Sequence, residues 1–205
     1  MNVKPKIGII LATTRPTRFA DKPARWLSDL VRGRDDADFE IVDLRDYPMP
    51  FFEEEQSPAL VSPRKEAALR WARKMAELDG YIFVTPEYNH GIPAVLKNAL
   101  DYAYAEYNRK PASFVGYGGV GAARGVEQLR LVLLALQMAP LKQSVHINAT
   151  EFIALSMQGK TFADYPYLGD SVQPLLDNLV WWANALKVAR DLDAAKRDTI
   201  HGKAA

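Results

Sequence analysis

Residues Lys6–Ala12 read KIGIILA, an apolar run that is continuous rather than alternating. Such a run predicts a strand that is buried on both faces, as in a parallel sheet. Four further apolar runs predict strands, and amphipathic runs between and after them predict helices. The predicted strands are Lys6–Ala12, Phe39–Leu44, Gly80–Thr85, Ser113–Tyr117 and Ser144–Ile147. The predicted helices are Ala20–Arg32, Val61–Leu78, Pro93–Tyr104, Ala122–Met138 and Leu175–Arg190.

This alternation of strands and helices predicts an α/β fold with helices on both faces of a parallel sheet. Five strands favour a flavodoxin-like, doubly wound sheet of order 2-1-3-4-5. We expect residues 1–190 to form one domain and residues 191–205 to form a charged, frayed tail. In this topology ligands bind at the carboxyl ends of strands one and three, so the loops after Ala12, Thr85 and Tyr117 are the places to look for a site.

Composition narrows the function classes. The 205 residues carry 26 basic and 25 acidic side chains, a net charge of +1, which gives no reason to expect nucleic acid or a membrane as partner. Cysteine is absent, which excludes disulfides and thiolate chemistry. The apolar stretch near the N-terminus is too short for a signal peptide, and we expect a cytoplasmic protein. The three histidines are scattered and no metal motif occurs, so no metal site is predicted.

The first strand-end loop, Thr13–Lys22, reads TTRPTRFADK and leads into a helix. Free backbone N–H groups and the helix dipole favour an anion there, and the hydroxyls and cations of the loop add donors. We therefore predict a phosphate site. The alternative is a solvated basic turn in which Thr or Asp caps the helix.

The second loop, Thr85–Pro93, reads TPEYNHGIP and is stiffened by two prolines and a glycine. Rigid backbone amides there suit the edge of a planar heterocycle, and Tyr88 offers a stacking face. A stiff turn with a solvent-exposed His90 is an equally good interpretation.

The third loop, Gly116–Arg124, reads GYGGVGAAR and matches G-x-G-x-x-G. It follows the fourth predicted strand rather than the first, and no acidic residue lies about 20 positions on, so we reject a dinucleotide fingerprint. The glycines permit close approach of a ligand to the backbone, although a tight strand-to-helix turn explains them as well.

Together the stretches ATTRPTRFADKPARW, TPEYNHGIPAVLKNALDY and GYGGVGAARGVEQLR resemble the NADPH-dependent FMN reductase family. The segment VDLRDYPMPFFEEE is also similar to the family's segment after the second strand, and the resemblance covers roughly residues 5 to 190. It implies bound FMN, NADPH or NADH as co-substrate, and a homodimer or dimer of dimers. The activity it implies is hydride transfer from the nicotinamide to bound flavin, then to a quinone, azo, flavin or metal-ion acceptor.

The resemblance also implies roles for individual residues, with the flavin rather than a side chain carrying the chemistry. The FMN phosphate would be held by Thr13, Arg15 and Arg18. The isoalloxazine would be lined by Pro86, Glu87, Tyr88 and Asn89 on one side and by Tyr117, Gly118 and Gly119 on the other. Four positions depart from the family pattern: Ala12-Thr13 replaces a common Gly-Ser, Thr17 replaces a common glycine, and His90 replaces a small residue.

Other functions and contacts stay open at this stage. A flavin-binding redox sensor or electron carrier with little turnover is the alternative function, and a scaffold that has lost its cofactor is a third. The run Leu129–Met138 is apolar nearly all round, which favours a subunit interface over a purely internal helix. The proline-rich segment Tyr47–Arg64 either places Phe51 or Phe52 over the substrate space or packs its own aromatics as a surface loop.

Overall fold

The computed structural model describes residues 4–201, with side chains described as far as Lys196. Five strands and six α-helices form this part of the chain, and they alternate until two helices follow the last strand. The strands are β1 (Lys6–Leu11), β2 (Asp38–Asp43), β3 (Gly80–Pro86), β4 (Pro111–Tyr117) and β5 (Ala139–Ile147). The helices are α1 (Asp21–Val31), α2 (Glu66–Glu77), α3 (Ala94–Asp101), α4 (Ala123–Ala135), α5 (Ala149–Met157) and α6 (Pro166–His201).

The strands form one parallel sheet of order β2-β1-β3-β4-β5, which confirms the predicted flavodoxin-like topology. Ile9 of β1 pairs with Ile41 on one side and Ile82 on the other. Every residue of β3 and β4 is buried, as expected for central strands covered on both faces.

Helices bury two separate apolar clusters against the sheet. Helices α1, α5 and α6 pack on one face, and α2, α3 and α4 pack on the other. The second cluster includes a polar contact that is fully enclosed, in which the indole Nε1 of Trp71 donates to the Tyr107 hydroxyl at 2.7 Å. No helix within residues 4–201 is long and apolar enough to cross a membrane.

The last third of the chain differs from the prediction. Helix α5 was not predicted, and it inserts between β5 and the final helix. The final helix was expected to begin at Leu175, yet α6 begins at Pro166 and carries inside it Pro174, a residue that usually ends or kinks a helix. It continues past residue 190 to His201, so residues 191–201 are helical rather than frayed.

Four other boundaries differ from the prediction by three residues or more. Helix α2 starts at Glu66 instead of Val61, because the preceding stretch contains Pro63, and proline restricts the residue before it to extended conformations. Strand β5 begins at Ala139 instead of Ser144, whereas α3 and α4 end before the predicted Tyr104 and Met138. None of these changes alters the order of the sheet, which still brings the carboxyl ends of β1, β3 and β4 side by side.

Candidate functional site: a cavity at the strand ends

A cavity of about 330 Å³ and a larger one of about 610 Å³ lie beside the carboxyl ends of the strands. The larger one, which we call the strand-end cavity, is bounded by the loops after β1, β3 and β4 and by α5. Eight of the ten site residues predicted from the sequence line it: Arg15, Arg18, Pro86, Glu87, Tyr88, Tyr117, Gly118 and Gly119. The other two, Thr13 and Asn89, lie outside its lining.

The loop after β1 presents unsatisfied donors to this cavity. Within the described residues, the backbone N–H groups of Thr17 and Phe19, which line this cavity, have no hydrogen-bond partner. The N–H of Thr14 also lacks a partner there, but Thr14 lines the smaller cavity. Arg15 is exposed, and its guanidinium carbon lies 5.8 Å from the centre of the Tyr88 ring. Because this loop leads into the N-terminus of α1, the donors and the helix dipole together make an anion site.

Thr13 shapes the loop from beneath. Its side chain is buried, and its hydroxyl lies 2.9 Å from the hydroxyl of Tyr88. This bond ties the loop after β1 to the loop after β3.

Arg18 is positioned differently from the prediction of a direct phosphate contact. Its Nε donates to Asp21. Its Nη1 donates to the carbonyl of Thr13 at 2.9 Å and to the carboxylate of Asp43. Its Nη2 donates to the carboxylates of Asp21 and Asp43. An arginine has five N–H donors, and all five are accounted for by these contacts. Hydrogen bonding to Asp43 raises the pKa of Arg18, so the group is permanently charged and held by two carboxylates. Arg18 therefore organises the loop, and its charge is neutralised before any ligand arrives.

The loop after β3 is a tight two-residue turn. Tyr88 and Gly91 exchange two backbone hydrogen bonds of 3.0 Å, and the central residues Asn89 and His90 have φ values of 51° and 69°. Left-handed φ at both central positions is typical of a type I′ turn, which Asn tolerates better than most residues. Asn89 sits exposed at the tip, beside His90, which explains why its side chain does not line the cavity.

Glu87 contributes to the cavity wall, but its carboxylate turns toward α4. It accepts hydrogen bonds from the backbone N–H groups of Arg124 and Gly125, each at 3.1 Å, and from Nε of Arg124 at 2.6 Å. Burial opposes ionisation, yet these donors outweigh it and hold the pKa of Glu87 below its ordinary value.

The glycines of the loop after β4 differ in what requires them, which is either the backbone conformation or the space around the residue. Gly118 adopts φ of 130° and Gly121 φ of 59°, conformations that L side chains rarely take. A Cβ at Gly121 would also lie 2.7 Å from Cβ of His146, so this position tolerates no side chain. Gly119 has open space around it, and its N–H has no partner within the described part of the chain.

Helix α5 supplies a wall that sequence reasoning missed. Phe152 packs against Phe19 and Tyr117, with ring centres 5.0 and 5.9 Å apart, and the three rings form an aromatic floor. Ser156 and Met157 complete this side, and the Ser156 hydroxyl is buried without a partner within the described residues. No pattern in the sequence signalled α5, whereas Phe19 stood within the loop already singled out.

The segment Tyr47–Arg64 stays away from the strand-end cavity within one chain. Phe51 is 81% exposed, and Phe52 packs on Tyr102 with ring centres 5.2 Å apart. Tyr47 and Met49 instead line the smaller cavity on the far side of the loop after β1. Within residues 4–201 no cluster of three or more His, Asp or Glu side chains suits a metal ion.

The family of NADPH-dependent FMN reductases matches residues 5–151. The chain belongs to this family. It is therefore an NAD(P)H-dependent oxidoreductase with FMN as its flavin.

Individual relatives agree with the family. An NAD(P)H-dependent FMN reductase of Schizosaccharomyces pombe is 38% identical over 144 residues, covering 68% of this chain and 72% of the relative. A quinone reductase of Pseudomonas putida is 28% identical over 184 residues, covering 85% and 90% of the two chains. Among solved structures, the flavoenzyme FerB of Paracoccus denitrificans, an NAD(P)H:(acceptor) oxidoreductase, superposes with a TM-score of 0.65 at 22% identity, covering 88% of this chain and 98% of FerB.

The size and the lining of the strand-end cavity of this FMN reductase suit FMN. The cavity volume falls within the range of about 300–1,000 Å³ usual for small-molecule sites. Unpartnered N–H groups and the charge of Arg15 suit an anionic group. The aromatic floor and the glycine backbone suit a flat ring system.

Proposed function

We propose that the strand-end cavity binds FMN with its phosphate at the loop after β1. The observation that carries this proposal is the pair of unpartnered backbone N–H groups at Thr17 and Phe19, within the described residues, beside the exposed Arg15. Arg18 holds this loop in shape rather than contacting the phosphate, since its donors are already satisfied. Thr13 acts in the same indirect way through Tyr88.

The ring of the cofactor would lie between the loops after β3 and β4. Pro86 and Tyr88 form one boundary, and Gly118 and Gly119 form the other, where the free N–H of Gly119 faces no protein acceptor among the described residues. Bound FMN supplies the redox chemistry, taking hydride from the nicotinamide and passing electrons to an acceptor. The residues around it bind and orient the ring and exclude water from one face, so no acid–base side chain is required.

The acceptor is a small molecule, and we propose a quinone first, with azo compounds, free flavin and oxidised metal ions as the other classes. The quinone reductase relative supports this order. Initial rates at saturating NADPH, measured with one acceptor of each class, test it. A quinone rate well above the rate with oxygen alone is expected. A protein that retains FMN but turns over none of the four classes would instead be a redox sensor or electron carrier.

We also propose that the enzyme works as a homodimer or dimer of dimers. Leu131 and Leu134 project from α4 with 69% and 57% of their surface exposed, and a partner subunit would cover them. The exposed Phe51 would then reach toward the partner's cavity. Sedimentation at micromolar concentration tests this arrangement, and a monomer would contradict it. The cytoplasmic location stays a prediction, which fractionation of the source cells tests.

A further inference from the structure

Helix α4 is capped by a side chain from a different loop. Its N-cap residue Ala122 is left-handed, makes no side-chain cap, and the first turn contains no acidic residue. The carboxylate of Glu87 fills this role from the β3 side, accepting from two backbone N–H groups of the first turn. Only 7% of the Glu87 side chain is exposed, so the cap is enclosed by the protein.

Two more contacts fasten the same elements together. The amide of Gln128 on α4 donates to the carbonyl of His90 at 2.8 Å. A Cβ at Gly125 would lie 3.2 Å from the carbonyl oxygen of Gly91, so the helix and the turn approach at backbone distance. The turn after β3 is therefore docked on α4, and α4 starts directly after the glycine loop that follows β4. Glu87 links the two loops between which the flavin ring would lie.

The pairing of Glu87 with Arg124 also determines the net charge next to the position proposed for the flavin ring. Arg124 brings a full positive charge and the helix start brings a partial one, and Glu87 neutralises both. We propose that Glu87 is a positioning residue for FMN, which locks the two loops around the ring and sets its reduction potential by cancelling the positive charge of Arg124 and the α4 N-terminus. This inference rests on the proposed FMN site.

Substituting Glu87 and substituting Arg124 should therefore shift the reduction potential of FMN in opposite directions. The Glu87→Gln substitution keeps the shape of the side chain but leaves Arg124 and the helix start uncompensated, which stabilises the more negative, reduced cofactor. The Arg124→Gln substitution leaves the Glu87 carboxylate capped by backbone but without its cation, which disfavours the reduced cofactor. A purely structural role would move the potential in the same direction for both substitutions, or not at all.

The control is a buried carboxylate of the same kind at the other end of the sheet. Asp79, just before β3, pairs with Arg190 and accepts from the backbone N–H of Lys6 at 3.0 Å, with 14% of its side chain exposed. Asp79→Asn should lower stability about as much as Glu87→Gln, since each replaces a largely enclosed carboxylate that bonds an arginine and at least one backbone N–H group. It lies far from the cavity and should leave the flavin unchanged.

The experiment measures FMN dissociation constants and midpoint potentials of the wild type and the three variants by anaerobic dye-coupled titration. Glu87→Gln should favour reduced over oxidised FMN about tenfold, a rise of about 30 mV for a two-electron couple. Arg124→Gln should lower the potential, and Asp79→Asn should match the wild type. Shifts of the same sign in both pair variants, or an equal shift in Asp79→Asn, would overturn the inference.

The outcomes also separate this inference from the proposed function. If the wild type binds no FMN, both the proposed function and the inference about Glu87 are wrong. If the wild type binds FMN and Glu87→Gln keeps the wild-type potential, only the inference about Glu87 is wrong. If Glu87→Gln does not fold, the midpoint potential of Arg124→Gln tests the inference, and a potential that is not lower than that of the wild type would overturn it. This variant should fold, because Arg124 is about half exposed and its loss leaves the backbone cap in place.

Discussion

The substitution Arg18→Ala should destabilise the folded protein, and it should weaken FMN binding less than Arg15→Ala does. The side chain of Arg18 is 3% exposed, and it joins Asp21 in the first turn of α1 to Asp43 at the end of β2. It also satisfies the carbonyl of Thr13. Alanine removes all of these bonds at once and leaves two carboxylates facing each other.

The size of the effect follows from how enclosed the partners are. Removing one partner of a buried ion pair costs about 3–5 kcal/mol. Here Asp43 is 22% and Asp21 42% exposed, so water can solvate the carboxylates in part. We therefore expect the lower end, about 3 kcal/mol of unfolding free energy.

The loss should depend on pH with a defined sign. Burial raises the pKa of Asp43, but hydrogen bonds from Arg18 and from the backbone N–H of Arg45 outweigh it and hold the pKa below its ordinary value. A lowered carboxylate pKa stabilises the fold above the unfolded value of about 3.9, and this contribution is lost as pH falls through the folded pKa. The gap between wild type and Arg18→Ala should thus be full at pH 7 and shrink below about pH 4.

Urea denaturation at pH 7 and pH 3.5 measures the gap, and Arg15→Ala is the matched control from the same loop. Arg15 is exposed and has no ion pair within the described residues, so its loss should hardly change stability. An Arg18→Ala protein that is as stable as the wild type, or that loses FMN as strongly as Arg15→Ala, would refute the view that Arg18 organises the loop rather than binding phosphate.

Three further changes test other parts of the structure. Arg15→Ala should weaken FMN binding by about 1–3 kcal/mol in a fluorescence titration, whereas the exposed Arg25→Ala on α1 should not, and equal affinities for wild type and Arg15→Ala would contradict the phosphate site. Gly121→Ala should cost about 2 kcal/mol in urea denaturation because of its left-handed φ and the occupied space around it, while Gly33→Ala, with open space, should be neutral. Burial lowers the pKa of Lys110 to about 7, so unfolding free energy should rise between pH 7 and about 10 as the unfolded chain alone holds the proton. Lys110→Met should flatten that rise, and an unchanged slope would refute the assignment.

The sequence predicted the sheet better than the helices around it. Continuous runs such as KIGIILA have one simple structural solution, and their order along the chain led to the observed 2-1-3-4-5 arrangement. Helix α5 has weak periodicity, and α6 contains Pro174, a residue that is rare inside helices, so the local sequence indicates the helices of the last third of the chain poorly. That part of the structure depends on packing against β5 and the aromatic floor, which local sequence does not report.

The loops of the site were predicted, but the partners of their charged residues were not. Arg18 looked like a phosphate ligand because its neighbours in sequence are donors, yet Asp43 reaches it from β2, 25 residues away. Glu87 looked like a residue facing the ring, yet its acceptor atoms are taken by the start of α4. Such pairings depend on which loops the fold brings together, and a single sequence carries no signal for them.

The visible absorption spectrum of the reconstituted protein under anaerobic conditions tests the central claim most directly. Protein mixed with FMN and freed of excess cofactor should keep the bands of oxidised flavin, and these should bleach within seconds of adding NADPH. Bands that persist after NADPH is added, or a protein that retains no FMN, would contradict the assignment of the strand-end cavity as the site of an FMN-dependent oxidoreductase.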